Sequence, residues 1–302
     1  MRVAAIDCGT NSIRLLVADL TANALVDVVR EMTIVRLGQG VDQTGRLAPE
    51  AIERTRVALA EYAGRIRDLG AERVRMVATS ASRDASNADD FRAMVLETLG
   101  AAPEVISGDE EARLSFDGAV RGLASGEPPY LVVDIGGGST EFVLGSREVD
   151  AARSVNIGCV RLTERHLHSD PPTADEIAAT EKDIVAAVSL ARETVPVERA
   201  RTLVGLAGSV TTVTALALGL TEYDPEAIHH ARITRDQVAE VTARLLAQTR
   251  EERAAYPVMH PGRVDVIGAG ALVLKTLMDE VGAGSVVASE HDILDGIAWS
   301  ML

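Results

Sequence analysis

Residues 131–145, LVVDIGGGSTEFVLG, place two carboxylates on either side of a run of glycines. Asp134 ends a hydrophobic segment typical of a buried strand, Gly136, Gly137 and Gly138 follow, and Glu141 opens a second hydrophobic segment. Glycines leave their backbone N–H groups uncovered by side chains, and consecutive N–H donors form a cradle for anions. This spacing predicts a phosphate-binding turn with acidic residues beside it.

The residues after the glycines decide between two kinds of turn. A dinucleotide-binding domain needs a helix directly after the glycines, with its N-terminus facing the pyrophosphate. Here the next residues, EFVL at 141–144, are apolar and β-prone, and a further glycine follows them. The motif is therefore predicted to be a strand–turn–strand hairpin whose tip holds the anion. The alternative is a structural glycine turn that binds no ligand.

The same pattern occurs at the start of the chain, in VAAIDCGTNSIRLLVADL at residues 3–20. The two copies match at a constant offset of 127 residues: Asp7 with Asp134, Gly9 with Gly136, and Ser12 with Ser139. Such a repeat predicts two α/β domains that each open with a phosphate-binding hairpin and face each other across a cleft. We place the domains at residues 1–125 and 126–302, because the clear linker SGEPPY (residues 125–130) precedes the second copy.

Helices and strands alternate in the rest of the chain. The patterns predict helices within residues 49–70, 89–100, 109–124, 173–195, 263–282 and 292–302. They also predict a strand that runs into a polar loop within residues 73–87, and a strand at residues 285–289. Thr173 with Glu176 has the spacing of a capping box. In residues 201–219 a strand, a turn and a helix follow one another, which places Gly208 and Ser209 at a helix N-terminus, favourable for another phosphate. The alternative there is a tight strand–helix turn without a ligand.

Composition limits the classes of protein to which the chain can belong. With 302 residues, 47% hydrophobic and 25% charged, it has room for two globular domains. No apolar stretch is as long as a transmembrane helix, and Met1 leads directly into a core strand, so we expect no signal peptide, no membrane partner and a cytoplasmic location. Two cysteines are too few for a disulfide framework or a multi-cysteine metal site. Cys159 is expected to pack between apolar neighbours, and the alternative is that it lines the binding site.

The charge of the chain bears on its ligands. A net charge of −15 argues against nucleic-acid binding, as does an aromatic content of 3%, which leaves few rings to stack on bases. The same charge would repel a phosphorylated ligand. Local arginines and a divalent cation must therefore offset the repulsion at the binding site.

Seven segments of the chain carry a resemblance to a known family. In order, they are DCGTNSIRLLVADL, ATSASRDASN, ISGDEEARLSFDG, DIGGGSTEFVLG, NIGCVRL, GLAGSVTTVTAL and RVDVIGAGALVL. Over nearly its whole length the chain resembles the exopolyphosphatase/guanosine pentaphosphate phosphohydrolase family. The resemblance implies two ribonuclease H-like α/β domains of the actin, hexokinase and Hsp70 superfamily with an interdomain cleft, and it implies a homodimer. The first turn has Thr10 where many relatives have Ser, which retains the hydroxyl.

The residues and the resemblance together predict the groups that bind the substrate. Turn N–H groups and hydroxyls supply neutral donors, and the family's motif places an arginine, here Arg83, as a cationic clamp. The predicted substrate-binding residues are Thr10, Asn11, Ser12, Arg83, Gly136, Gly137, Gly138, Ser139, Gly208 and Ser209. The alternative for Arg83 is a solvated surface arginine. Arg14, Arg161 and Arg263 are weaker candidates for a clamp.

Two glutamates are the predicted catalytic residues. Acids in a first helical turn, such as Glu111, are ordinary complements of the helix dipole. The resemblance, however, implies that Glu111 is the base that deprotonates water, while Glu141 positions this water or holds a metal. Aspartates at these strand ends hold Mg²⁺ in the superfamily. We therefore predict Mg²⁺ or another divalent cation at Asp134 and Glu141, with Asp7 a weaker candidate for a metal ligand. The alternative is that each aspartate caps its own turn.

The resemblance implies a hydrolase that releases terminal phosphate from inorganic polyphosphate. Guanosine pentaphosphate is the alternative substrate, and low aromatic content favours the substrate without a base. A kinase of the same fold is an alternative enzyme, and a non-catalytic phosphate or alarmone sensor is an alternative function. The sequence ends at Leu302 without the C-terminal helical module of longer relatives, so we expect short polyphosphates to be hydrolysed at least as efficiently as long ones.

Overall fold

The computed structural model describes residues 1–123 and 126–302, which form two units. The first unit comprises Met1–Gly118 and Asp292–Leu302, and the second comprises Ala119–His291. The expected boundary between residues 125 and 126 falls next to residues 124–125, which lie outside the described residues.

The first unit is built on a five-stranded sheet. Its strands are β1 (Arg2–Cys8), β2 (Ser12–Leu20), β3 (Leu25–Ile34), β4 (Arg73–Ala78) and β5 (Glu104–Val105). They lie in the order β3-β2-β1-β4-β5. The β1–β2 and β2–β3 pairs are antiparallel, whereas β4 pairs in parallel with both β1 and β5.

Five helices follow or separate these strands. They are α1 (Val41–Thr44), α2 (Pro49–Asp68), α3 (Ser80–Asp84), α4 (Ala88–Leu99) and α5 (Gly108–Val120). The predicted helices at α2, α4 and α5 are confirmed, and α2 begins at a proline as expected. The predicted polar loop after β4 is wrong in part, because residues 80–84 form the single helical turn α3. The Ser82 and Arg83 N–H groups both donate to the Thr79 carbonyl at 3.1 Å, which starts this turn.

The second unit is built on a six-stranded sheet. Its strands are β6 (Tyr130–Ile135), β7 (Thr140–Gly145), β8 (Val149–Val155), β9 (Thr202–Leu206), β10 (Arg232–Thr234) and β11 (Ser285–Ala288). They lie in the order β10-β11-β9-β6-β7-β8. The strands β6, β7 and β8 form an antiparallel meander, β9 pairs in parallel with β6 and β11, and β10 is antiparallel to β11.

Within the described residues, the second unit contains seven α-helices. They are α6 (Cys159–His166), α7 (Ala174–Arg192), α8 (Ala207–Ala217), α9 (Pro225–Ile228), α10 (Arg235–Ala247), α11 (Arg250–Ala254) and α12 (Ile267–Val281). The predicted capping box of α7 is confirmed: the Thr173 side chain accepts from the Glu176 N–H, and the Glu176 carboxylate accepts from the Thr173 N–H. The long apolar helix α12 is buried along most of its length and forms the centre of this unit's core.

The two sheets share one arrangement. In each, a three-stranded antiparallel meander comes first, and parallel strands are added beside the first strand of the meander. This is the ribonuclease H-like arrangement, so the predicted fold class is confirmed. The repeat noticed in the hairpins therefore extends to five strands of each sheet, and β10, antiparallel at the edge of the second sheet, is additional.

The last helix, α13 (Ile293–Trp299), belongs to the first unit. Successive side chains of β1 point to opposite faces of the sheet. Ala4, Ile6 and Cys8 pack towards α2 and α4, while Val3 and Ala5 pack on the other face with residues of α13. This second face is apolar, and α13 buries it. The first unit thus includes Asp292–Leu302, which the sequence placed with the second domain, residues 126–302.

Among the helices of the described ranges, none combines the length and the low polarity that a membrane-spanning helix requires.

Candidate active site

The glycine motif of the second unit forms the predicted hairpin. In the β6–β7 register Asp134 lies opposite Glu141, and Ile135 lies opposite Thr140, so residues 136–139 form the turn. The Gly136 N–H donates to the Ser139 carbonyl at 3.0 Å. The strand–turn–strand prediction is therefore confirmed, and no helix follows the glycines directly.

The carbonyls of this turn are held by the start of α6. The Cys159 N–H donates to the Gly136 carbonyl at 3.0 Å and the Val160 N–H to the Gly137 carbonyl at 2.9 Å. Arg161 Nε donates to the Gly138 carbonyl at 2.7 Å. In a trans peptide the N–H of the next residue points opposite to the carbonyl. The N–H groups of residues 137, 138 and 139 therefore point away from α6, as an anion cradle requires.

Gly158 makes this contact between α6 and the turn possible. A Cβ at residue 158 would overlap the carbonyl of Gly137 and come within 2.7 Å of the Gly138 nitrogen. Any side chain here would push the turn out of place. The sequence shows this glycine in NIGCVRL, but nothing in its local pattern indicates which distant backbone it contacts.

The two carboxylates beside the turn are buried: Asp134 is 7% exposed and Glu141 is 1% exposed. Ser154 of β8 donates from its hydroxyl to Glu141 Oε1 at 2.8 Å. Within residues 1–123 and 126–302 no group of three or more His, Cys, Asp or Glu side chains could hold a metal ion. Two adjacent carboxylates fit Mg²⁺, which keeps several waters and needs one or two protein carboxylates. Sequence reasoning missed Ser154, which has no motif of its own.

The start of α8 lies beside the glycine turn, because Asp134 of β6 pairs with Leu206 at the end of β9. Ala207 has φ of 68°, a left-handed conformation that is uncommon for a residue with a side chain. Gly208 follows, and a Cβ there would overlap the guanidinium of Arg263. Arg263, a weaker candidate from sequence, therefore lies directly against the backbone at the N-terminus of α8.

Ser209 and Cys159 are in contact in this region. The Ser209 side chain packs against Gly270 of α12. A Cβ at residue 270 would overlap this side chain. Burial raises the pKa of the Cys159 thiol, and this effect exceeds the opposing influence of Arg263 and of the hydrogen bond with Ser209. The thiol is therefore protonated at neutral pH, which agrees with a packing role for Cys159.

The first unit contains the equivalent turn. The Gly9 N–H donates to the Ser12 carbonyl at 3.0 Å, as in the second hairpin. The segment after β3 holds the turn carbonyls: the Arg36 N–H donates to the Asn11 carbonyl at 2.8 Å and the Gly38 N–H to the Thr10 carbonyl at 2.9 Å. The N–H groups of residues 11 and 12 consequently point away from that segment.

The helix α3 begins beside this turn, because β1 and β4 are parallel neighbours and the Thr79 N–H donates to the Cys8 carbonyl at 3.2 Å. The hydroxyls of Thr10 and Ser80 are hydrogen-bonded at 2.8 Å. On the same helix, Arg83 Nη1 donates to Glu111 Oε2 at 2.7 Å and to the Ile106 carbonyl at 3.0 Å. The predicted clamp and the predicted base thus touch each other.

The structure groups the predicted residues by unit. Thr10, Asn11, Ser12, Arg83 and Glu111 lie together in the first unit, at the carboxyl end of β1 and β4. The second unit brings together Asp134, Gly136, Gly137, Gly138, Ser139, Glu141, Gly208 and Ser209, at the carboxyl end of β6 and β9. The guanidinium of Arg14, a weaker candidate for a clamp, is bound to Asp7 and Asp292.

The protein is of the ribonuclease H-like α/β class. Each of its two sheets opens with a hairpin turn whose N–H groups point outward. The chain belongs to the Ppx/GppA phosphatase family, whose model matches residues 16–302. It is similar to exopolyphosphatase 2 of Mycobacterium tuberculosis, with 57% identity over 313 aligned positions that cover 99% of this chain and 98% of that protein.

A second relative is longer than this chain. The guanosine-5'-triphosphate,3'-diphosphate pyrophosphatase of Aeromonas salmonicida is 30% identical, and the match covers 99% of this chain and 59% of the relative. Among solved structures, an exopolyphosphatase-like protein superposes with a TM-score of 0.96 at 45% identity, covering 99% of this chain and 97% of the other. The family resemblance read from the sequence is confirmed.

Proposed function

We propose that this protein is an exopolyphosphatase, which hydrolyses the terminal phosphoanhydride bond of inorganic polyphosphate with a glutamate-activated water and a divalent cation. The observation that carries this proposal is the turn at residues 136–139. Its carbonyls are held by α6, its N–H groups point outward, and the carboxylates of Asp134 and Glu141 lie beside it. The 57% identity to a protein named exopolyphosphatase 2 supports the same conclusion.

Phosphoanhydride cleavage depends mainly on positioning and on neutralising the charge of the phosphate oxygens. In the second unit, the N–H groups of the glycine turn donate to phosphate oxygens, and Ser139 and Ser209 add hydroxyls. In the first unit, the N–H groups and side chains of residues 10–12 do the same. These neutral donors are preorganised, so they lose little entropy when the substrate binds.

Glu111 is the proposed general base. Its carboxylate is largely buried and receives a hydrogen bond from Arg83, which holds it in one orientation. Arg83 supplies a positive charge for the polyanion at the same place. The nucleophile is the water that Glu111 deprotonates, and the Cys159 thiol, which stays protonated, does not take this role.

Asp134 and Glu141 are the proposed metal ligands. Both are buried side by side on neighbouring strands, and Ser154 orients Glu141. A bound Mg²⁺ would neutralise part of the charge on the phosphate oxygens. The chain's own contribution is to hold two carboxylates next to the turn that binds those oxygens.

Guanosine pentaphosphate is the second candidate substrate, and the 30% identity to a guanosine-5'-triphosphate,3'-diphosphate pyrophosphatase favours it. The aromatic content of 3% favours the substrate that has no base to stack. A kinase is less suited, because Glu111 and Glu141 serve to activate water rather than an organic acceptor.

One assay separates these functions. The purified protein is incubated with Mg²⁺ and polyphosphate, guanosine pentaphosphate or ATP, and free phosphate is followed, with and without EDTA. Faster phosphate release from polyphosphate than from guanosine pentaphosphate supports the proposal, and the reverse supports the second candidate. ATP loss only when an acceptor is added would indicate a kinase. Binding of polyphosphate without any turnover would indicate a sensor.

Short polyphosphates are proposed to be hydrolysed at least as efficiently as long ones. The chain carries a net charge of −15, so its surface repels the part of a long polyanion that lies outside the binding turns. Most binding energy then comes from the terminal phosphates, and processivity is low. On a gel, long chains should shorten gradually as one population. Full-length chains that persist beside free phosphate, with no intermediates, would contradict this.

A further inference from the structure

One difference between the two hairpins lies beside the aspartate at the end of the first strand. Asp7 and Asp134 are equivalent, and so are Arg14 and Glu141, each pair separated by 127 residues. The registers agree, since Asp7 pairs with Arg14 in the first hairpin and Asp134 pairs with Glu141 in the second. The same place beside the strand-end aspartate is thus occupied by a cation in one unit and by a carboxylate in the other.

The Arg14 guanidinium is hydrogen-bonded to two carboxylates. Its Nε and Nη2 donate to Asp7 Oδ2 at 3.1 and 2.7 Å, and its Nη1 donates to Asp292 Oδ2. The Arg14 side chain is 19% exposed and both aspartates are 6% exposed. Burial alone would lower the pKa of the guanidinium, but Asp292 and Asp7 outweigh it and raise the pKa well above the usual arginine value. The charge on Arg14 is therefore permanent.

Asp292 also connects this cluster to the C-terminal helix. Its carboxylate caps α13 by accepting from the Leu294 N–H at 3.0 Å. Burial opposes its ionisation, yet Arg14, Arg30 and the Leu294 N–H outweigh burial and hold its pKa below the usual aspartate value. Burial raises the pKa of Asp7 above the usual aspartate value, although Arg14 opposes this effect. When all the carboxylates are ionised, the cluster of Asp7, Arg14 and Asp292 carries one net negative charge, whereas Asp134 and Glu141 carry two.

We propose that Arg14 prevents a divalent cation from binding at the first hairpin. The metal of the proposed reaction then binds only at the second hairpin, beside Asp134 and Glu141. This inference rests on the proposed function. Arg14 is a positioning residue: it offsets the negative charge of Asp7 and Asp292 next to the turn at residues 9–12, which lets phosphate groups approach that turn. In the first unit the Arg14 guanidinium supplies the positive charge that a bound metal ion supplies in the second.

Metal binding in the absence of substrate tests the first half of the proposal. Mn²⁺ is titrated into the full chain, and free Mn²⁺ is measured by electron paramagnetic resonance. The unsubstituted chain should bind one Mn²⁺. Asp134→Asn should weaken binding by about 10-fold or more, as expected for loss of a metal-site carboxylate. Asp7→Asn should leave the dissociation constant for Mn²⁺ unchanged.

Steady-state kinetics with polyphosphate test the second half. Arg14→Met should raise KM by about 10-fold, because two buried carboxylates then face the substrate without a counter-charge. Adding Asp7→Asn to Arg14→Met should recover most of this loss, which a merely structural role of Arg14 would not explain. Arg14→Lys keeps the charge and serves as a second, milder variant if Arg14→Met fails to fold.

The matched control is Arg2→Met. Arg2 pairs with Asp19 at the opposite end of the same two strands, and this ion pair is more exposed. Its loss should not change KM. Thermal unfolding of each variant shows whether it is folded.

Three results would overturn the inference: equal loss of Mn²⁺ affinity in Asp7→Asn and Asp134→Asn, two Mn²⁺ ions bound by the unsubstituted chain, or no recovery of KM in the double variant. Failure of the proposed function looks different. A chain that shows the expected Mn²⁺ pattern but releases no phosphate from polyphosphate would contradict the proposed activity and leave the assignment of the metal to the second hairpin standing.

Discussion

Arg83 and Glu111 form an ion pair in the first unit, with Arg83 Nη1 at 2.7 Å from Glu111 Oε2. The two residues come from the short helix α3 and from the first turn of α5, and the Ile106 carbonyl accepts a second hydrogen bond from the same nitrogen of Arg83. Their side chains are 21% and 10% exposed, respectively. The proposed clamp and the proposed base therefore depend on each other for their positions, and substitutions at the two sites should not be independent.

Glu111→Gln should retain binding of polyphosphate and lose about 10²–10⁴-fold in kcat, which is typical for removal of a general base. The amide still accepts a hydrogen bond from Arg83, so the site keeps its shape. Glu110→Gln is the matched control, because the adjacent Glu110 is half-exposed and pairs with Arg75 instead. Phosphate release and a binding titration measure the two effects. Near-normal kcat in Glu111→Gln would remove it from the catalytic role.

Arg83→Ala should raise KM for polyphosphate by about 10–100-fold, the range expected for a hydrogen bond between charged groups. It should also lower kcat, since Glu111 loses the donor that orients it. The double variant Arg83→Ala/Glu111→Gln should cost less than the sum of the two single variants in free energy, because the residues are in contact. Strictly additive effects, or an unchanged KM in Arg83→Ala, would contradict the coupling.

Gly158→Ala should lower kcat/KM by about 10²-fold, because the added methyl overlaps the Gly137 carbonyl and displaces the turn that binds phosphate. The cost in the free energy of unfolding should be about 1–3 kcal/mol, as for other overpacked sites. Gly64→Ala in α2 is the control: a Cβ there has Arg67 Nη2 as its nearest neighbour, at 4.0 Å. It should stabilise the helix slightly and leave kcat/KM unchanged. Full activity in Gly158→Ala would show that the turn tolerates displacement.

Stability in acid should depend on Glu176. The Thr173 N–H, together with the N–H groups of His168 and Ser169, lowers the pKa of this carboxyl from the usual 4.5 to about 2. A folded-state pKa below the unfolded value contributes stability above about pH 4.5, which is lost as the pH falls towards about 2. The difference in the free energy of unfolding between the unsubstituted chain and Glu176→Gln should be largest at neutral pH and shrink over this range.

Urea unfolding at a series of pH values measures this dependence. Asp175→Asn is the control, because Asp175 is the exposed neighbour of Glu176 in the first turn of α7 and takes no part in the capping box. A difference between the unsubstituted chain and Glu176→Gln that stays constant with pH would contradict the assignment.

Local signals in the sequence determined much of the fold. The glycine turns, the start of α2 at Pro49 and the capping box at Thr173 were predicted correctly, since each depends on hydrogen bonds and periodicity within a few residues. The repeat of Asp7 at Asp134 predicted two similar units, because equivalent turns require equivalent strands around them. The family could be recognised because seven segments of its pattern occur in order along the chain.

The tertiary structure decided which distant segments meet. Asp292 lies 278 residues from Arg14 and joins it only because α13 covers the apolar face of the first sheet. Likewise, Gly158 rests on Gly137 because α6 packs against the turn, and α3 forms where the sequence indicated only a loop. These contacts are selected by the burial of sheet faces and by the pairing of buried charges. Both depend on residues far apart in the chain, so no local pattern contains them.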